Sequence, residues 1–219
     1  MATKTKAKKV SDDHIITLYM NYVLEHEVMP KSIFKFCKSN DLEEAVFYEY
    51  FGSFDGLQKA IWSKFYTNTE SLMLKNDAFD AFSNKEKMLT FFYSFFELLT
   101  LNRSYVLFAL ENNRGMMLNM AQLKGLRTLI KGFATKLIND GNAEKKMKIT
   151  RHNPTVFSEG AWVQFMFLLK FWMDDESPAF EKTDMAIEKS VNTVFDLFDN
   201  TPLDNIIDFG KFLFKERMS

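Results

Sequence analysis

Two arginines, Arg103 and Arg127, stand in a stretch crowded with phenylalanine and methionine. A guanidinium fork is well shaped to hold a carboxylate or phosphate. The apolar residues around them recur at helical steps: Phe92, Phe95 and Phe96, then Phe108 and Met120, then Trp162, Phe165, Met166 and Leu169. Residues of this kind line pockets for small apolar or lipid-like molecules, with a few polar anchors. Methionine adapts to an irregular ligand. With the two arginines they make up the candidate ligand pocket. Tyr93, Asn102, Tyr105, Gln122 and Gln164 are further polar anchors nearby. The same spacing also describes an ordinary packed core, the commoner use of buried aromatics.

Other chemistries lack their parts. The single cysteine, Cys37, and three scattered histidines give neither a nucleophile–base pair nor metal-ligand spacing. No Gly-rich phosphate loop occurs. The run Asp174-Asp175-Glu176 falls where a turn is expected and reads as a solvated helix cap. The sequence therefore points away from an enzyme, a cofactor or a metal centre.

The elements that must position these residues are helical. In 219 residues there are only 8 Gly and 4 Pro, about 5% together against a usual value near 12%. Sandwiches and barrels need more turns than that supplies. The 24 phenylalanines demand burial, and 47% hydrophobic with 26% charged residues suits a globular chain. The longest apolar segment, Trp162–Met173, contains Lys170 and is too short to span a bilayer. A lone cysteine fits the reducing cytoplasm.

The N-terminal third reads as short helices. Residues 1–10 form a basic, flexible tail with Lys4, Lys6, Lys8 and Lys9. Ser11 is placed to cap a helix carrying Ile15, Ile16, Tyr19 and Val23 on one side. Ser32 caps a second, about Ile33–Lys38. A third spans about Glu43–Tyr50 and is closed by Gly52. Long helices follow. The first opens at Asp55 and reaches about Lys75, with Leu57, Ile61, Phe65 and Leu72 inward. Lys85–Leu101, Ser104–Asn112 and Met116–Ile138 come next, with Gly115 as punctuation. Gly141–Pro154, with Lys145, Lys146, Lys148 and Arg151, is a polar loop. Thr155–Asp174, Glu181–Asp199 and a last helix from Pro202 complete an all-α chain. The division is a tail (1–10), a helix-turn-helix head (11–54) and a helical ligand-binding and dimerisation domain (55–219).

The head carries Tyr22-Val23-Leu24-Glu25, Ser32-Ile33, Phe36-Cys37, Leu42 and then Phe47-Tyr48-Glu49-Tyr50-Phe51-Gly52-Ser53. Over residues 14–62 this run resembles the TetR family of transcriptional regulators, whose recognition helix ends in a similar aromatic cluster. The resemblance implies a homodimer formed by the two helices Thr155–Asp174 and Glu181–Asp199, and a ligand-responsive body. It also implies a DNA-facing set: Ser32, Glu43, Glu44, Val46, Tyr48, Glu49 and Phe54.

Charge argues against ordinary operator binding. Residues 10–60 hold four lysines against nine carboxylates, a net −5. Affinity for duplex DNA rests largely on phosphate neutralisation, and no arginine occurs before Arg103. Two readings stand: a dimeric, ligand-responsive regulator, or a lipid-binding or protein-interaction protein of the same fold without DNA binding.

Overall fold

The computed structural model describes residues 10–111, 120–144 and 153–200. Among the described residues there are nine α-helices and no strand. In chain order they are α1 (Asp12–His26), α2 (Ile33–Ser39), α3 (Glu44–Tyr50), α4 (Phe54–Met73), α5 (Asn84–Leu101), α6 (Arg103–Glu111), α7 (Lys124–Glu144), α8 (Pro154–Met173) and α9 (Glu181–Asn200). The all-α class expected from composition is what the chain adopts. Expectations for the lysine tail, for Gly115, Met116 and Met117, for Lys145, Lys146, Lys148 and Arg151, and for the helix from Pro202 lie outside the described residues.

The helices gather into two compact units. One takes Met1–Ser71 with Glu97–Leu129, the other Leu72–Phe96 with Ile130–Ser219. The described part of the head, residues 10–54, lies in the first unit together with most of α4 and with α6.

In the first unit the caps form as the sequence prescribes. Ser11 accepts a hydrogen bond from the His14 N–H, and Ser32 from the Lys35 N–H, each satisfying a donor the first helical turn leaves orphaned. The turn between α2 and α3 places Asp41 at φ 50°. Phe51 leaves α3 in extended backbone, so the helix ends there rather than on a left-handed Gly52. Phe36, Phe47 and Tyr19 are fully buried and meet edge-on or stacked around Phe54 at 5.6 Å. Each such ring contributes about 2–3 kcal/mol by leaving water. A buried polar string crosses this unit. The Gln58 amide donates to the Tyr19 hydroxyl at 2.9 Å. The Trp62 indole donates to Gln122 at 2.8 Å, and Gln122 donates on to the Ala109 carbonyl at 2.8 Å.

In the second unit, α8 packs its Phe157, Ala161, Phe165, Leu168 and Trp172 side inward. Asn153 caps this helix through the Thr155 and Val156 N–H groups, with Pro154 in the first turn. Two boundaries differ from expectation. Leu72 is 53% exposed, because helical periodicity carries no information about where the buried stretch of α4 stops. And α7 begins at Lys124, after a turn at Gln122–Leu123, and runs through Gly141 to Glu144. A glycine inside a helix is tolerated where close packing uses the missing side chain. Asn84 fills that space here, donating to the Leu137 carbonyl at 2.8 Å.

Candidate functional site

The outer side of α8 is not polar. Residues Gly160, Val163, Phe167 and Phe171 follow one another at helical steps opposite the buried stripe. Against them α9 sets Lys182, Met185, Ala186, Lys189, Thr193 and Val194. Together they line an open groove of about 890 Å³. Its apolar wall faces water: Val163 is 65% exposed and Met185 is 50% exposed. Beneath it the Gln164 amide donates to the Ser190 hydroxyl at 3.0 Å, and Ser190 to the Ile187 carbonyl. The first of these bonds links the two helices at the groove floor, and the second orients the Ser190 hydroxyl within α9.

Helix α9 is anchored at its start by Asp175. This carboxylate is buried and accepts four hydrogen bonds, from the N–H and hydroxyl of both Ser177 and Thr183. Burial would raise its pKa, but the bonds to Ser177 and Thr183 outweigh that and hold it down at about 2. The acid run is therefore a cap, as expected, but its central member is buried rather than solvated. The connecting turn holds Ala179 and Phe180 at φ 53° and 59°.

The candidate ligand residues fall in different places. In the second unit Phe92, Phe95, Phe96, Phe165 and Leu169 are buried. Phe95 and Phe96 lie 5.5 and 6.0 Å from Phe165, and Trp162 stacks on Phe165 at 5.3 Å. This is a close-packed aromatic cluster, with Trp162 and Met166 half-buried at its edge. Arg103, Phe108, Met120 and Arg127 belong to the first unit. Arg127 is exposed, and the other three are half-buried. None of these residues lines the groove.

In the head, Glu43, Tyr48 and Glu49 are exposed, while Ser32, Glu44 and Val46 are half-buried. Phe54 is half-buried too, its ring in contact with Tyr19, Phe36 and Phe47. Local desolvation, then the Glu44 carboxylate, raise the Tyr48 phenol above its ordinary pKa. Burial, then Glu44, raise the Cys37 thiol, which leaves it a packing residue rather than a nucleophile. Two of the head's acids share one cation. Lys64 bridges Asp12 at 2.7 Å and Asp13 at 2.8 Å.

The body of this chain has a match of its own. A family profile described as tetracyclin repressor-like, C-terminal domain, covers residues 87–213, more than half of the sequence. The chain belongs to the TetR family. No curated protein and no solved structure matches it. The matched region of this TetR-family chain contains α6 to α9 and nearly all of α5. No helix among its described residues is long and apolar enough to cross a membrane.

Sequence reasoning missed the groove residues Val163, Phe167 and Met185. The signal was present in α8, whose apolar residues occupy two opposite faces where one would suffice for a core. It was hidden in α9, where the groove side alternates Met185, Ala186 and Val194 with Lys182, Lys189 and Thr193.

Proposed function

We propose that this TetR-family chain is a dimeric, ligand-responsive regulator that pairs through the groove of α8 and α9. The observation that carries the reading is the exposed apolar wall formed by Val163, Phe167 and Met185. Apolar surface concentrated on one face of a soluble chain marks an interaction site. A second copy presenting the same groove would cover it isologously. Sedimentation at micromolar concentration tests this: the mass of two chains is expected, and the mass of one chain throughout would overturn it.

The ligand in this reading is a small apolar or lipid-like molecule held against the Phe95–Phe165–Trp162 cluster. The aromatic density of that cluster supports it. Mass spectrometry of denatured protein should find such a molecule copurifying.

The head supports a regulator with weak affinity for duplex DNA. Its exposed recognition-helix side presents Glu43 and Glu49 without a pairing cation among the described residues. The second reading, a family member acting by binding lipid or protein alone, is favoured by that same acidity.

A further inference from the structure

The charged residues of the α8–α9 groove are of one sign. Lys182 and Lys189 line it, and among the described residues no carboxylate does. Both lysines are exposed, and neither enters an ion pair among the described residues. Seven residues make two helical turns, so the pair projects from one side of α9, about 10 Å apart along its axis. Two acids of α9 stand elsewhere: Asp184 and Glu188 lie within electrostatic reach of Tyr93 on α5, whose hydroxyl donates to the Asp184 carbonyl. Helix α9 thus divides its charge, with lysines in the groove and these two carboxylates outside it.

The wall contributed by α8 is apolar. Val163, Phe167 and Phe171 line it at every fourth residue, a run of about 12 Å, and Phe167 is 54% exposed. The volume of about 890 Å³ is that of a small-molecule pocket. A free phosphate or a short carboxylate would leave this wall wet. An uncharged lipid would gain nothing from the lysines. A molecule with one apolar chain and one anionic end matches both.

We infer that the α8–α9 groove binds an anionic amphiphile, its charged end held by Lys182 and Lys189 and its chain laid along Val163, Phe167 and Phe171. The site is distinct from the Phe95–Phe165–Trp162 cluster, none of whose residues lines the groove. Burial of the chain supplies most of the affinity. The exposed lysines add charge selectivity and a modest, salt-sensitive gain. A regulatory consequence rests on the pairing through α8 and α9: amphiphile and second copy cover the same wall, so each displaces the other.

Equilibrium dialysis of the full chain against dodecanoate, below its micelle concentration, tests the site. Saturable uptake is expected, with dodecyltrimethylammonium bound about tenfold more weakly. K182Q/K189Q should weaken dodecanoate about fivefold, and K182E/K189E should invert the preference between the two amphiphiles. No uptake, equal uptake of both amphiphiles, or dodecanoate uptake unchanged in K182Q/K189Q would overturn the inference. Pelleting with phosphatidylglycerol vesicles without dodecanoate uptake would overturn it too, because the occupant would then be a membrane surface. Sedimentation velocity with and without saturating dodecanoate separates this inference from the pairing. A two-chain species that dodecanoate converts to one chain is expected. A two-chain species that persists with dodecanoate bound would overturn the displacement. A single chain throughout would overturn the pairing, and the dialysis would still decide the site.

Discussion

One carboxylate oxygen of Asp175 accepts both the backbone N–H of Thr183, at 2.9 Å, and its hydroxyl, at 2.6 Å. The other oxygen does the same for Ser177, at 2.8 and 2.6 Å. A buried carboxylate so fully bonded is stable only when ionised. It ties the end of α8 to the start of α9 across eight residues.

Stability should therefore fall in acid through this one group. Its folded pKa, about 2, lies below its ordinary value. The stabilisation is complete above that ordinary value and is lost as pH falls through about 4 toward 2. The loss amounts to about 2 kcal/mol. Urea unfolding at pH 5 and pH 2.5 should show it, and Asp175→Asn should remove that part of the pH dependence while lowering stability at pH 5.

The turn that Asp175 holds carries strain. Ala179 sits at φ 53°, a region that costs an L-residue about 1–2 kcal/mol. Glycine is free there but loses more entropy on folding. Ala179→Gly should raise unfolding free energy by about 0.5 kcal/mol, read as a higher urea midpoint with unchanged slope.

The reverse substitution should fail at Gly141. Alanine ordinarily favours a helix interior by about 1 kcal/mol over glycine. Here its methyl would come within 2.7 Å of the Asn84 amide nitrogen, which is held by its bond to the Leu137 carbonyl. Gly141→Ala should destabilise by about 1 kcal/mol, and adding Asn84→Ala should reverse the sign of the Gly141→Ala effect.

These sites show what a sequence reveals and what it hides. Ser11 and Ser32 were legible because a cap is a local event, settled within three residues. The inward stripe of α1 was legible because periodicity is local too. Leu72 was misplaced because the end of a buried stretch is set by neighbours distant in the chain. The contacts of the half-buried Phe54 with Tyr19, Phe36 and Phe47 were not legible, because they join residues up to 35 positions apart in the chain. That α8 is apolar on two faces was legible, but the residues lining the groove were not, since Val163 and Phe165 are equally apolar and only the packing separates outside from inside. Asp175 read as solvated because its partner Thr183 is reached through two left-handed residues.

Duplex DNA should bind weakly at physiological salt, and the head's glutamates should set the limit. Glu49 is exposed and unpaired among the described residues. Glu49→Lys should strengthen binding to random duplex about fivefold, one phosphate contact's worth of counterion release. A fluorescence-anisotropy titration at two salt concentrations reads this. Tight, sequence-selective binding by the unaltered chain would return it to ordinary operator recognition.

Pairing through α8 and α9 is the claim on which the rest stands, and sedimentation equilibrium at about 0.5 M salt tests it with charge pairs screened. Val163→Glu places a charge on the groove wall, while Leu72→Glu places one on another exposed apolar residue, away from the groove. The unaltered chain and Leu72→Glu should sediment as two chains, and Val163→Glu as one. A single-chain mass for the unaltered protein, or an undiminished dimer for Val163→Glu, would contradict the account.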